Sequence, residues 1–135
     1  MSLQKTTIQL LEKKSIALAL QFGSSVKGGE RPGSDVDIGF VFIDTLPNVR
    51  QVPSVFHDLS LAFQKEFPGK RVDIVFLQET PLSMQYAALQ EGKALYVNSP
   101  DDYANYLEDT MKLYFDFQPV EQYVQSVLNA AFAQR

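Results

Sequence analysis

Two aspartates, Asp35 and Asp37, stand two positions apart at the start of the segment DVDIGFVFI. The Val, Ile and Phe content of this segment predicts a buried strand. Because side chains alternate between the two faces of a strand, both carboxylates are expected on the same face. Neighbouring carboxylates repel each other unless a cation lies between them. The pair therefore predicts a site for a hard divalent cation such as magnesium.

A third aspartate, Asp73, has the equivalent place in RVDIVFL, a second predicted strand. The connection between the two strands, residues 44–70, contains one predicted helix, as a crossover between parallel neighbours requires. Parallel pairing would bring all three carboxylates together, in a cluster able to bind one or two divalent ions. A simple ion pair of Asp73 with Arg71 or Lys70 is the alternative.

Candidate phosphate-binding residues follow the apolar segment that precedes Asp35. That segment ends at Gly23 and Ser24, and antiparallel pairing with DVDIGFVFI would bring Gly23 beside Asp35. Glycine allows a ligand to approach the backbone, and the free amides of a helical turn beginning at Ser24 would bind an anion. Lys27 and Arg31 lie in the same loop as candidate phosphate contacts, although loop bases are often only solvated. Phosphate donors facing metal-binding carboxylates suit the transfer of a nucleotide from a triphosphate.

The spacing of these residues resembles a known signature. Gly23-Ser24, ten further residues and then Asp35-Val36-Asp37 is similar to the GSx10DxD pattern of the DNA polymerase β-like nucleotidyltransferase superfamily. At average residue frequencies, the four fixed residues occur by chance in a chain of this size on the order of one time in a thousand. Asp73 matches the third carboxylate of the family. The segments LQEGKALY and YFDFQPVEQY look like the C-terminal part of minimal nucleotidyltransferases, the MntA-like antitoxins of HEPN/MNT toxin–antitoxin pairs.

The resemblance implies a magnesium-dependent enzyme that transfers AMP from ATP to a tyrosine hydroxyl of a partner HEPN toxin, which silences the toxin. By position, Asp35 and Asp37 would hold one or two Mg²⁺ ions. Asp73 would complete the metal site and assist deprotonation of the attacking hydroxyl. Because the acid set is complete, an active enzyme is expected.

The resemblance also implies a binding site for the ATP triphosphate. Gly23 and Ser24 would hold the triphosphate, and Lys27 stands in a position that is usually basic in the family. Ser25 and Val26 depart from the family pattern, in which Arg or a large residue followed by a small one is common. The departure leaves the acceptor and the shape of the triphosphate loop open.

Two other functions remain as alternatives. One is a non-catalytic antitoxin module that only covers its partner, which the complete acid set disfavours. The other is a nucleotidyltransferase acting on a small-molecule hydroxyl, such as that of an antibiotic. The absence of a substrate domain after Val97, beyond helices, disfavours it.

Length and composition limit the possible domain organisation, ligands and compartment of the protein. The 135 residues, 45% hydrophobic and 21% charged, predict one globular domain over 1–135, with a core at about 6–97 and C-terminal helices at about 100–133. A net charge of −4 argues against direct nucleic-acid binding. The lack of cysteine and the single histidine, His57, exclude a disulfide scaffold and a structural zinc site. With no signal peptide or membrane-spanning run, a cytoplasmic protein is expected.

The order of helical and strand patterns predicts an α/β (α+β) fold, a small mixed sheet with helices packed on it, of the polymerase β-like type. A separate final helix is expected to begin at Pro119. The C-terminal aromatic residues serve either as core or as an interface with a partner or a second copy, and a homo-oligomer stays open. These aromatic residues are Tyr103, Tyr106, Tyr114, Phe115, Phe117, Tyr123 and Phe132.

Overall fold

The computed structural model describes residues 2–23 and 35–133 as one four-stranded sheet with helices on both faces. Its elements, in chain order, are α1 (Lys5–Lys13), β1 (Ile16–Phe22), β2 (Val36–Phe42), α2 (Val52–Glu66), β3 (Val72–Phe76), a short 3₁₀ helix (Leu77–Glu79), α3 (Leu82–Glu91), β4 (Lys93–Val97) and α4 (Pro100–Ala133).

The sheet has the strand order β3-β2-β1-β4. β1 is antiparallel to β2 and to β4, and β2 is parallel to β3. The connection from β2 to β3 carries α2, because parallel neighbours need a crossover. The predicted mixed sheet and both predicted strand pairings are therefore confirmed.

Each face of the sheet has its own apolar cluster. On one face, α1 and α2 cover β2, where the rings of Phe40 and Phe63 meet edge to face with centroids 5.1 Å apart. On the other face, α3 and the first part of α4 pack over Leu20, Val41 and Leu77. The core thus comprises two layers that hold β1 and β2 between them, which fixes the ends of these strands.

Gly39 allows the chain that leaves β3 to fold back over the sheet. A β-carbon at position 39 would lie 2.7 Å from Cγ of Leu77, which is fully buried. Beside it, the Gln78 side chain accepts a hydrogen bond from Phe42 N at 2.8 Å and donates one to Phe42 O at 3.2 Å. The amide extends the backbone pairing of β2 and fixes β2 against β3.

The C-terminal region differs from the prediction of two helices separated before Pro119. α4 is one helix of 34 residues, with Pro119 inside it. Proline has a helical φ, but inside a helix it removes the hydrogen bond to the carbonyl four residues earlier and its ring crowds that carbonyl, at a cost of about 3 kcal/mol. That carbonyl belongs to Phe115, an exposed residue, so water can replace the missing donor. The helical pattern resumes beyond Pro119, and the helix continues.

The first part of α4 is anchored to α3 by polar and aromatic contacts. Tyr106 Oη donates a 2.6 Å hydrogen bond to Oε1 of Gln85, and Gln85 Nε2 donates to the carbonyl of Thr80 at 2.9 Å. Burial raises the pKa of Tyr106 to about 12, against a smaller lowering effect of its hydrogen bond with Thr110. Further along, the ring of Tyr114 stacks on that of Tyr86. From residue 119 to residue 133 every side chain is exposed.

The helices within residues 2–23 and 35–133 all lack the combination of length and apolarity that a bilayer crossing demands.

Candidate functional site

The register of the parallel pair β2 and β3 brings two of the predicted acids together. Asp37 is the direct partner of Asp73 across the ladder, which begins with a 2.8 Å hydrogen bond from Val36 N to the carbonyl of Arg71. Residues opposite each other in neighbouring strands point to the same face. Asp37 alternates with the buried Ile38, so its side chain lies on the α3/α4 side, where the apolar face ends. Both carboxylates are half-buried there.

Asp35 lies one residue before β2 and is exposed. Its negative charge nevertheless acts on Asp37. Burial, and then the charges of Asp73 and Asp35, raise the pKa of the Asp37 carboxyl above its ordinary value of 3.8. The three acids predicted from the sequence therefore form one electrostatically coupled group, with Asp37 at its centre.

Gly23 lies against the central acid of this group. The antiparallel register pairs Phe22 with Asp37, and Gly23 follows with a φ of +83°. A β-carbon at position 23 would lie 2.5 Å from Oδ2 of Asp37. The sequence predicted Gly23 beside the start of β2 at Asp35; the structure places Gly23 at that end of β2, where its contact is with Asp37. A side chain at this place would have to displace the Asp37 carboxylate, and the positive φ also favours glycine.

Asp73 also takes part in the ion pair that the sequence left open. Arg71 Nε lies 3.4 Å from Oδ1 of Asp73, with the Arg71 side chain 74% and the Asp73 side chain 43% exposed. An exposed pair of this kind contributes about 0–1 kcal/mol. The pair is therefore too weak to keep Asp73 from binding a divalent cation.

The carboxylates do not form a closed metal cage. Within the part of the chain that the structure describes, no three His, Cys, Asp or Glu side chains are grouped so as to hold an ion. The donor set nonetheless suits magnesium, which is bound through one or two carboxylates together with substrate phosphates and retained water. Burial is the main cause of the raised pKa of Asp37, and a cation between the acids would offset the repulsion by Asp73 and Asp35 that adds to it.

The other predicted contacts for the triphosphate, Ser24, Lys27 and Arg31, lie outside the described residues. A surface cavity of about 710 Å³ lies at the opposite end of β2, where Lys13, Asp44 and Arg50 are among its lining residues. Since none of the three coupled acids lines it, this cavity is separate from the candidate site.

Comparison with protein families gives a match over most of the chain. The model of the family described as polymerase beta, nucleotidyltransferase matches residues 5–101. The matched range includes Gly23 and all three coupled acids. Comparison with curated proteins gives no match.

Solved structures are similar in fold over nearly the whole chain. A toxin–antitoxin crystal structure with AMP-PNP is 25% identical, with a TM-score of 0.68, over 93% of this chain and 98% of that chain. An MntA toxin–antitoxin variant with two Asp-to-Glu substitutions is 22% identical, with a TM-score of 0.67, over 91% and 95% of the two chains. A complex of tri-AMPylated Shewanella oneidensis HEPN toxin with MNT antitoxin is 22% identical, with a TM-score of 0.63, over 91% and 92%.

The coupled acids at the start of two parallel strands, the glycine held against them and the family match over residues 5–101 agree with one another. This chain belongs to the polymerase β nucleotidyltransferase family.

Proposed function

We propose that this protein transfers AMP from ATP, in a magnesium-dependent reaction, to a tyrosine hydroxyl of a HEPN toxin and so acts as its antitoxin. The observation that carries the proposal is the pairing of Asp37 with Asp73 across β2 and β3, with Asp35 electrostatically coupled to them. Two of the similar structures support the choice of ATP as the nucleotide and of a HEPN toxin as the acceptor. One is a toxin–antitoxin structure with AMP-PNP, and the other contains a tri-AMPylated HEPN toxin.

Asp35 and Asp37 are the proposed ligands of one or two Mg²⁺ ions, and Asp73 completes the set. When bound, magnesium neutralises charge on the triphosphate and orients the α-phosphate for attack. The carboxylates contribute a fixed negative site that binds the cation together with the nucleotide. Because the carboxylates repel one another in the free protein, a bound cation would relieve this repulsion and so stabilise the site.

Asp73 is the proposed acceptor of the tyrosine proton. The phenolic oxygen then forms a bond to the α-phosphorus of ATP, the bond from that phosphorus to the bridging oxygen breaks, and pyrophosphate leaves. A carboxylate is effective here if it lies within hydrogen-bonding reach of the hydroxyl. The 43% exposure of the Asp73 side chain leaves it accessible to an incoming protein residue.

Gly23 is the proposed backbone contact of the triphosphate, assisted by Ser24, Lys27 and Arg31. The 2.5 Å separation between a β-carbon at position 23 and Asp37 Oδ2 supports this role. It means that phosphate bound at the Gly23 backbone would lie next to the carboxylate that binds the cation. The protein is proposed to act in the cytoplasm, without direct binding of nucleic acid.

Incubation with the HEPN partner, magnesium and each nucleoside triphosphate, followed by intact-mass measurement of both proteins, tests the proposal. We expect the toxin to gain whole AMP units with ATP and none without magnesium. Asp37→Asn should abolish the gain, whereas Asp44→Asn should retain it, since Asp44 is exposed just after the other end of β2. Toxin that is neutralised without any mass gain would identify a non-catalytic antitoxin instead.

A further inference from the structure

The distal part of α4 presents an apolar stripe that nothing in the described chain covers. We call it the α4 stripe and define it by five residues spaced alternately by four and three positions along the helix. Each has about half of its surface exposed. The residues are Leu113 (58%), Phe117 (50%), Val120 (52%), Val124 (48%) and Val127 (49%).

The α4 stripe lies beside the face by which the same helix packs on the protein, which passes through Tyr114, stacked on Tyr86. Extending its spacing towards the start of α4 gives Thr110, Tyr106 and Tyr103. Thr110 is buried, and the two tyrosines pack against the apolar cluster over α3. One heptad pattern therefore runs along α4, and its first part is already used for packing against a neighbouring helix. This pattern is typical of a helix that packs along another helix throughout.

The charges beside the α4 stripe disfavour a second copy of this chain as the partner. Residues 113–133 contain two acids, Asp116 and Glu121, and no Lys or Arg. With the α4 stripe at the a and d positions, Asp116 is at g and Glu121 at e. Parallel self-pairing would place Asp116 opposite Glu121 of the other copy. Antiparallel pairing that keeps the whole α4 stripe in contact would place Glu121 opposite itself. Each arrangement brings like charges together, which is destabilising.

We propose that the α4 stripe is the docking surface for an α-helix of a partner protein, whose apolar stripe is flanked by Lys or Arg. The apolar residues from Leu113 to Val127 extend about 21 Å along the helix, which is enough for four turns of a partner helix. Basic residues beside the apolar stripe of the partner helix would pair with Asp116 and Glu121. A second copy of this chain would instead place acids opposite these two residues. In naming the surface that holds the acceptor protein, the inference rests on the proposed function.

Binding of designed helical peptides to the full-length chain tests the chemistry of this surface. Two peptides share Leu at every a and d position and differ only in having Lys or Glu at e and g. We expect fluorescence anisotropy to show the Lys peptide binding at least tenfold more tightly than the Glu peptide. Val124→Lys should weaken binding of the Lys peptide at least tenfold. Gln122→Lys, which adds the same charge away from the α4 stripe, should have a much smaller effect.

Charge reversal beside the α4 stripe tests the flanking contacts separately. Glu121→Lys should weaken binding of the Lys peptide and strengthen binding of the Glu peptide. Because Glu121 is exposed, circular dichroism should show an unchanged fold. Equal affinity for the two peptides, or Lys-peptide affinity unchanged by Val124→Lys, would overturn the proposal. A concentration-dependent dimer in sedimentation that Val124→Lys dissociates would also overturn it, in favour of a second copy.

Measurements with the HEPN toxin and with ATP separate this inference from the proposed function. Val124→Lys should raise the KM for the toxin at least tenfold and leave kcat and magnesium-dependent ATP binding unchanged, because the α4 stripe contains none of the proposed catalytic acids. An unchanged KM would overturn the docking surface and leave the proposed transfer intact. Tight toxin binding through the α4 stripe without AMP transfer would remove the proposed function and leave the docking surface intact.

Discussion

The β-carbon position of Gly23 and Oδ2 of Asp37 are separated by only 2.5 Å, which couples the end of β1 to the central acid of the site. Any side chain at position 23 must displace the carboxylate or the backbone. The φ of +83° adds a second restriction, because residues with a side chain rarely adopt it. The same position thus controls both the local backbone and the geometry of Asp37.

Gly23→Ala is expected to destabilise the protein and to abolish magnesium-dependent ATP binding. Gly69→Ala is a matched control, since Gly69 has a φ of +79° but nothing within 4 Å of its β-carbon position. It should show only the backbone cost of about 1–2 kcal/mol. Chemical denaturation and calorimetric ATP titration measure the two effects. Equal losses of stability and equal ATP affinity in the two variants would show that the contact with Asp37 has no consequence.

Asp37→Asn is expected to make the metal-free protein more stable at neutral pH than the wild type. In the folded state burial and two neighbouring acids raise the pKa of Asp37 above 3.8, so the charged form is disfavoured there. The wild type therefore carries an unfavourable contribution at pH values above the raised pKa. That contribution decreases as the pH falls through the raised pKa and is absent well below 3.8, where the carboxyl is protonated in both states.

Thermal unfolding of both proteins over a pH series without metal measures this difference. The melting temperature of Asp37→Asn minus that of the wild type should be positive at neutral pH and should shrink as the pH falls towards 3.8. A variant that is less stable at neutral pH would mean that the Asp37 carboxylate stabilises the fold through an ion pair with a basic side chain.

Magnesium with a non-hydrolysable ATP analogue should stabilise the wild type and have little effect on Asp37→Asn. A ligand that binds only the folded state stabilises it by about 2.7 kcal/mol at a concentration of 100 Kd. The carboxamide keeps the shape of the side chain but removes the charge that binds the cation. Melting temperatures with magnesium alone, analogue alone and both together identify the contribution of each. An undiminished shift in Asp37→Asn would place the metal elsewhere.

Tyr106→Phe should destabilise the packing of α4 on α3 by about 1–2 kcal/mol, because Gln85 would lose its donor in a half-buried site. Gln85→Leu combined with Tyr106→Phe should lose less than the sum of the two single changes, since both groups of this hydrogen bond are then absent. The lost bond from Gln85 to the carbonyl of Thr80 is common to both Gln85→Leu proteins and cancels in the comparison. Urea denaturation of the four proteins completes the cycle. Additive losses would show that the 2.6 Å hydrogen bond contributes nothing to stability.

The sequence was sufficient to predict the mixed sheet, because local patterns and connection lengths decide which strands pair and in which direction. The segment around residues 44–70 is long enough for a helical crossover, which makes β2 and β3 parallel neighbours. The contact between Gly23 and Asp37 could not be predicted from the sequence, because the exact register of β1 and β2 depends on long-range packing. Pro119 was misinterpreted as a helix boundary: proline disfavours a helix interior, yet α4 continues through Pro119. The roles assigned to Asp35, Asp37 and Asp73 remain predictions.

Single-turnover transfer of AMP from ATP by Asp35→Ala and Asp37→Ala, compared with the wild type and with Asp44→Asn, tests the central claim most directly. Removing a carboxylate that holds the cation should abolish transfer, because the charge on the triphosphate is then no longer neutralised. Asp44→Asn should transfer at the wild-type rate. Rates of Asp35→Ala and Asp37→Ala within about tenfold of the wild type, a barrier change of only about 1.4 kcal/mol, would contradict the assignment of these acids as metal ligands.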